Sequence, residues 1–174
     1  MAVPVWLLDI DGVLNAVGGR SVFRNKWPDA RWLESEYTVH GNGPYRVVVA
    51  QPVVDFINLV HSQGLVEIRW HTTWQHDALK LSEWLKLPSF PVHLAPEYLA
   101  TPTRGWWKLP GAYRVTKENR SLIWTDDDIR YEIRPNNQLY QPSNLIISPD
   151  DRYGLSPDDL DKIKTFLEKE TGDA

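Results

Sequence analysis

The sequence predicts an α/β domain built on a doubly wound, mostly parallel, Rossmann-like sheet. Short apolar runs alternate with segments of helical periodicity, which is typical of parallel strands joined by crossover helices. Two of the apolar runs end in clustered aspartates, and 174 residues suit one compact domain. We therefore predict a single domain over residues 1–174, in which residues from about 16 to 50 form a small insertion.

The first part of the chain predicts a strand followed by a β-hairpin. Pro4–Asp9 is a short apolar run that ends in acid, as a buried parallel strand does at its functional end. Glu36–His40 and Tyr45–Ala50 then alternate on either side of the turn signal Gly41–Gly43. The hairpin is expected to form a flap after the first strand.

Helices and strands alternate through the rest of the chain. Pro52 stands at the first position of a predicted helix, and Gly64 ends it. Ser156 caps a final helix that begins with Pro157. Between them we predict, in chain order, strand Leu65–Trp70, helix His76–Leu85, strand Pro91–Leu94, a weaker helix Gly105–Lys117 interrupted by Pro110, and strands Ser121–Thr125 and Asn144–Ser148.

Composition excludes several classes of function. The chain has no cysteine, which excludes disulfides, thiolate metal sites and cysteine nucleophiles. A net charge of −4 argues against a strong, non-specific nucleic-acid binder. No apolar stretch approaches the ~18 residues of a membrane span, and the first residues lack a basic segment typical of a signal peptide. We therefore expect no membrane association and a cytoplasmic location.

Clustered aspartates follow two of the predicted strands. Asp9 and Asp11 lie at the end of the first strand, and Asp126 and Asp127 come directly after Ser121–Thr125. Ligands of parallel α/β sheets bind at the carboxyl ends of the strands, so these acids should meet in one crevice. Converging carboxylates repel each other, and Mg²⁺ relieves that repulsion. We predict that these four aspartates bind Mg²⁺.

The same acids suit phosphoryl chemistry. A carboxylate can attack phosphorus and form an aspartyl-phosphate intermediate. A second acid can protonate the leaving oxygen and then deprotonate water. Gly12 lets the chain turn away from such a site and leaves room for the phosphate.

The segment DIDGVLN at residues 9–15 resembles the first motif of the haloacid dehalogenase superfamily. The resemblance implies that Asp9 is the nucleophile and Asp11 the general acid and base. It also implies a phosphatase, because phosphatases of this superfamily carry the second aspartate whereas the dehalogenases lack it.

The second and third motifs of this superfamily also have counterparts here. Thr72, in a Trp-X-Thr-X-Trp segment, corresponds to the hydroxyl residue that binds the phosphoryl group, with Thr73 as the alternative. Lys108 corresponds to the lysine that neutralises the phosphoryl charge, with Lys117 as the alternative. We interpret the neighbouring His71 as a residue of the strand or pocket wall, with substrate contact as the alternative.

The fourth motif is a pair of acids after an apolar strand. By resemblance Asp126 is the direct Mg²⁺ ligand and Asp127 its neighbour, whereas Asp128 is a surface acid at a helix start. Neither insertion point has room for a large folded cap. The resemblance therefore implies a fold of the haloacid dehalogenase type with the hairpin flap alone.

The substrate implied is a phosphorylated small molecule or a phosphorylated nucleic-acid end. Segments such as Trp-Lys-Leu-Pro and Gly-Leu-Ser-Pro resemble a small bacterial and phage group, similar to the haloacid dehalogenase domains of RNA repair proteins. That likeness implies a polynucleotide end phosphatase, with Trp27 or Trp32 stacking on a base. The residues that would contact the phosphate backbone are Arg20, Arg24, Lys26 and Arg31. The alternatives are a solvated flap for that segment and, for the whole chain, a non-catalytic binding module.

Overall fold

The computed structural model describes residues 2–19, 22, 24–93 and 105–172. Its elements alternate between strands and helices after an initial hairpin. In chain order they are β1 (Val5–Leu8), β2 (Trp32–Val39), β3 (Asn42–Ala50), α1 (Gln51–Ser62), β4 (Glu67–Trp70), a 3₁₀ turn (Gln75–Asp77), α2 (Ala78–Leu85), α3 (Leu109–Lys117), β5 (Leu122–Thr125), α4 (Ile129–Glu132), β6 (Asn144–Ile147) and α5 (Pro157–Gly172).

Four parallel strands form the central sheet in the order β4-β1-β5-β6. All four residues of β1 are fully buried, as expected for a central strand covered on both faces. The register places Leu8 between Trp70 of β4 and Thr125 of β5. The predicted α/β class with a mostly parallel sheet is confirmed, and the arrangement is compatible with a Rossmann-like fold.

The side chains of β1 alternate between two separate hydrophobic clusters. Trp6 and Leu8 pack in the cluster that includes residues of α1, α2 and α5. Val5 and Leu7 pack in the cluster that includes residues of α3 and α4. The sheet therefore has helices on both faces, which is the layering of a doubly wound fold.

The hairpin of β2 and β3 forms a separate antiparallel sheet, as predicted, but its turn differs from the prediction. The two turn residues are His40 and Gly41, both with positive φ (49° and 76°). Asn42, predicted as part of the turn, instead pairs with Val39. Two positive φ angles match the twist of the flanking strands, and Gly41 supplies one of them without strain.

The predicted helices are present, and two of them begin later than predicted. The helix predicted from His76 divides into the 3₁₀ turn and α2, and the helix predicted from Gly105 begins only at Leu109. Pro110 does not interrupt this helix, because it lies in the first turn, where an amide hydrogen has no helical partner. Ser156 and Asp159 cap α5 reciprocally: the Ser156 Oγ accepts from the Asp159 amide (3.3 Å), and the Ser156 amide donates to Asp159 Oδ2 (3.1 Å).

The strand predicted at Pro91–Leu94 is reduced to one isolated bridge between Trp70 and Val92. Leu94 lies outside the described residues. Over the ranges that the structure describes, no helix combines the length and the apolar character needed to cross a membrane.

Candidate active site

The carboxyl ends of β1 and β5 bring three aspartates together. Asp9 follows β1 and Asp126 follows β5, and these two strands are neighbours in the sheet. The Asp9 amide donates to the carbonyl of Thr125, which fixes the two strand ends side by side (3.2 Å). Asp9, Asp126 and Asp127 each offer a carboxylate oxygen, and these oxygens lie within 4.8 Å of one another. The fold therefore brings Asp9 into one cluster with two acids that follow it by more than 110 residues in the sequence.

Lys108 inserts its ammonium group between two of these aspartates. Its Nζ lies 2.6 Å from Asp9 Oδ2 and 2.5 Å from Asp126 Oδ2, and its side chain is 4% exposed. The alternative, Lys117, is exposed at the opposite end of the same helix, α3. The structure therefore brings Lys108, and not Lys117, to the aspartate group.

The site holds more negative charge than Lys108 can neutralise. Burial, reinforced by repulsion from Asp9, raises the pKa of Asp126 to about 8. Burial and repulsion from Asp9, with a smaller repulsion from Asp128, raise the pKa of Asp127 to about 6. Burial alone would lower the pKa of Lys108, but the attraction of Asp9 and Asp126 outweighs it and raises this pKa. One ammonium among three carboxylates leaves a deficit of positive charge.

Asp11 is held apart from the three clustered carboxylates. Its Oδ1 accepts from the Asn15 side-chain amide (2.9 Å), and its Oδ2 accepts from the Trp74 indole (2.7 Å). The chain turns after Asp9 and directs the Asp11 carboxylate toward Trp74, outside the group of three. The role of Asp11 as a fourth Mg²⁺ ligand stays a prediction. Asn15, which had no predicted role, also accepts from the Val48 amide of β3 and so ties the hairpin to this turn (2.8 Å).

Gly12 has a positive φ, in keeping with the turn predicted after the first strand, whereas the room it would leave for a phosphate stays a prediction. Its φ is +68°, and a Cβ at this position would lie 2.5 Å from Asp127 Oδ2. Any side chain here would therefore displace Asp127 as well as strain the backbone.

Thr72 and Thr73 follow β4 and differ in exposure. Thr72 is buried, and its Oγ1 accepts from the Trp74 amide (3.3 Å). Thr73 is exposed, and its carbonyl contacts His40 Nε2 of the hairpin turn (2.7 Å). The assignment of Thr72 as the phosphoryl-binding residue stays a prediction.

Two buried histidines hold the first turn of α3: His71, predicted as a strand or pocket-wall residue, and His93, which had no predicted role. His71 Nε2 donates to the carbonyl of Lys108 (2.9 Å), and His93 Nε2 donates to the carbonyl of Gly111 (2.9 Å). His71 Nδ1 has no partner among the described residues, and burial, together with the nearby His93 and Lys108, places the pKa of His71 well below its usual value. His71 is therefore neutral. No spacing in the sequence indicates this arrangement.

A substitution at Gly111 tests how tightly the first turn of α3 packs against His71 and His93. A Cβ on Gly111 would lie 3.0 Å from His71 Nε2 and 3.2 Å from His93 Cδ2. Alanine normally stabilises a helix relative to glycine by about 0.5–1 kcal/mol, but here we expect Gly111→Ala to destabilise the protein by about 1–3 kcal/mol through overpacking. Urea unfolding measures the change.

The matched control is Gly172→Ala, in the last turn of α5, where a Cβ would meet no atom within 4 Å. This variant should be as stable as the wild type or slightly more stable. Equal or increased stability of Gly111→Ala would contradict the tight packing of α3 on the histidines.

Tryptophans surround the ammonium of Lys108. Trp106 stacks on Trp124 of β5, with ring centroids 5.0 Å apart. Lys108 Nζ lies 5.8 Å from the ring of Trp106 and 5.7 Å from that of Trp107. These rings limit the access of water to the ammonium and stabilise its charge.

The residues proposed from sequence to contact nucleic acid differ in their exposure to solvent. Arg24, Lys26 and Arg31 are exposed, whereas Arg20 lies outside the described residues. Both indoles proposed to stack on bases pack against the hydrophobic core instead. The indole nitrogen of Trp27 donates to the carbonyl of Leu155 (2.9 Å), and that of Trp32 donates to the carbonyl of Trp27 (3.4 Å).

A scan against protein-family models and searches of curated proteins and of solved structures each find no match. The resemblance to the haloacid dehalogenase superfamily therefore stays a prediction from the sequence motifs.

Proposed function

We propose that the chain is a Mg²⁺-dependent phosphomonoester hydrolase of the haloacid dehalogenase type, acting through an aspartyl-phosphate on Asp9. The observation that carries this proposal is the buried bridge in which Lys108 contacts both Asp9 and Asp126. Such a reaction requires a nucleophilic carboxylate, a fixed cation and further acids, and these groups lie together at the carboxyl ends of β1 and β5. The hairpin then corresponds to the flap of a member without a large cap.

The three clustered carboxylates fit a Mg²⁺ site. Mg²⁺ prefers carboxylate oxygens together with water and phosphate oxygens. Asp9, Asp126 and Asp127 would hold the ion. Burial and repulsion from Asp9 raise the pKa values of Asp126 and Asp127, and the charge of the ion would offset both effects. When bound, Mg²⁺ would neutralise the phosphoryl oxygens during transfer.

In the proposed first step, an Asp9 carboxylate oxygen forms a bond to phosphorus and the bond from phosphorus to the leaving oxygen breaks. The Ile10 amide donates to Asp9 Oδ1 (2.8 Å) and Lys108 donates to Oδ2, so the carboxylate has a fixed orientation. Asp11 donates a proton to the leaving oxygen, which departs as an alcohol. The contacts of Asp11 with Asn15 and Trp74 hold it for this task.

In the second step, water attacks the aspartyl-phosphate and gives a proton to Asp11. The bond between phosphorus and Asp9 breaks, which releases inorganic phosphate and restores the carboxylate. Lys108 stabilises the negative charge in both steps, and Thr72 would donate its hydroxyl to a phosphoryl oxygen.

Phosphate release from 4-nitrophenyl phosphate, with Mg²⁺ and with a chelator, tests the proposal. We expect release only with Mg²⁺. We also expect Mg²⁺ to raise the free energy of unfolding, by about 2.7 kcal/mol at a hundredfold excess over Kd. In Asp126→Asn this stabilisation should be lost, whereas stability in the chelator should not fall, because the substitution removes a repelling charge and keeps an oxygen for Lys108.

Asp128→Asn is the control, because Asp128 is the exposed neighbour of the group. Activity that the chelator leaves unchanged would contradict the metal assignment. Stabilisation by Mg²⁺ without release from any phosphomonoester would favour the non-catalytic binding module.

A further inference from the structure

A pocket of about 270 Å³ opens beside Asp11, between the hairpin turn and the segment after β4. One wall comes from the hairpin, and Trp74 lies in the opposite wall. Besides Asp11, its polar lining is formed by His40, Asn42, Tyr45 and Thr73. The pocket therefore offers hydroxyl, amide and imidazole groups together with aromatic surface.

Hydrogen bonds hold the hairpin turn against the segment that follows β4, at the edge of this pocket. The main-chain amide of His40 donates to Asp77 Oδ2 (2.9 Å), and His40 Nε2 contacts the carbonyl of Thr73 (2.7 Å). Behind the turn, the Tyr37 ring contacts the rings of Trp74 and Trp84, with centroids 5.8 and 5.9 Å apart. These contacts fix the distance between the two walls and so limit the size of a bound group.

Among the described residues, the lining of the pocket holds no unpaired cation: the imidazole of His40 has its Nδ1 3.6 Å from Asp77 Oδ2. Within the described ranges, none of its lining residues is a lysine or an arginine. Arg46 of the hairpin is paired with Glu34 (3.0 Å), and Lys80 of α2 is paired with Asp77 (2.7 Å). An anionic group placed in the pocket would therefore face Asp11 without a compensating cation, which is unfavourable.

We propose that this pocket binds the leaving group of the substrate and selects a small, uncharged alcohol that carries further hydroxyl groups. This inference rests on the proposed function, because a leaving oxygen protonated by Asp11 must lie beside Asp11. The Tyr45 and Thr73 hydroxyls and the Asn42 amide can bind hydroxyls of such an alcohol, and the Trp74 ring can cover an apolar face. A nucleic-acid end fits poorly, because its next phosphodiester adds a negative charge.

Matched pairs of phosphomonoesters test the selection. Glycerol 1-phosphate and 3-phosphoglycerate differ by the replacement of a hydroxymethyl group with a carboxylate. Uridine 5′-monophosphate and the 5′-phosphorylated uridine dinucleotide differ by one further nucleotide and its phosphodiester. In each pair we expect kcat/KM to be at least about tenfold higher for the substrate with the uncharged leaving group.

A new cation in the pocket should weaken the preference for an uncharged leaving group over an anionic one. Tyr45→Arg is expected to lower the ratio of kcat/KM for glycerol 1-phosphate over 3-phosphoglycerate by about tenfold. Tyr131→Arg adds the same charge at a residue that is 78% exposed and outside the pocket, and it should leave the ratio unchanged. If Tyr45→Arg does not fold, Asn42→Lys at the start of β3 adds a cation to the same pocket and serves as the test variant.

Equal or faster hydrolysis of 3-phosphoglycerate would overturn the proposal, and so would equal ratios in the Tyr45 and Tyr131 variants. Preference for the dinucleotide would overturn it in favour of a nucleic-acid end. 4-Nitrophenyl phosphate separates this proposal from the proposed function. If 4-nitrophenyl phosphate is hydrolysed but the two members of each matched pair react equally fast, the proposed selectivity of the pocket is refuted and the phosphatase proposal stands. If no phosphomonoester is hydrolysed, both proposals are refuted.

Discussion

Asp9→Asn is expected to lower kcat for phosphate release by at least about 10³-fold, because an amide cannot replace the attacking carboxylate. The fold should persist. The asparagine oxygen can still accept from Lys108, and the loss of one of three clustered charges relieves the repulsion that raises the pKa of Asp126. Steady-state release of phosphate measures the first effect, and urea unfolding in a chelator measures the second.

Asp128→Asn makes the same change of charge close to the site, at an exposed residue outside the aspartate group. Its kcat should remain within about twofold of the wild type, since it removes no group from the reaction. Loss of activity in both variants would indicate a general electrostatic effect. Substantial activity in Asp9→Asn would refute Asp9 as the nucleophile.

Lys108→Met is expected to destabilise the protein by about 3–5 kcal/mol in the absence of Mg²⁺, because two buried carboxylates would lose their shared cation. The methionine fills a similar volume, so the effect comes mainly from charge. Activity should also be lost, since the negative charge of Asp9 and of the phosphoryl group would be unbalanced. Urea unfolding in a chelator and phosphate release with Mg²⁺ measure the two effects.

Lys117→Met is the matched control on the same helix. Lys117 is exposed, and its substitution should change the free energy of unfolding by less than about 0.5 kcal/mol and leave kcat unaltered. Equal stability of the two variants would contradict the buried bridge at Lys108. Loss of activity only in Lys117→Met would show that Lys117, and not Lys108, acts in the reaction.

Much of the fold follows from local pattern. Strands β1 and β5 are fully buried apolar runs, and their parallel pairing places the acids after them at one edge. The meeting of Asp9 with Asp126 could therefore be predicted, since it requires only that the two strands be neighbours. The start of α3 was predicted less well, because a proline in a sequence is compatible both with a break and with a first turn.

The details of the site depend on contacts that no local pattern encodes. Sequence reasoning placed Asp11 with the other acids, but the turn at Gly12 directs its carboxylate to Trp74, 63 residues away. The hydrogen bond from His71 to the Lys108 carbonyl requires the imidazole to lie against Gly111, where a side chain would collide with it. The sequence does not show that this glycine and this histidine are in contact.

Local patterns predict the α/β class, the hairpin after the first strand and the strand ends followed by aspartates, because hydrophobic periodicity and turn residues act over a few neighbours. The choice between Lys108 and Lys117 depends on long-range packing, which brings Lys108 to Asp9 across 99 residues of chain. The packing of the hairpin likewise leaves the pocket beside Asp11 without a lysine or an arginine among its described lining residues. Both depend on side chains from distant segments, whose distances and charges are set only when the helices pack on the sheet.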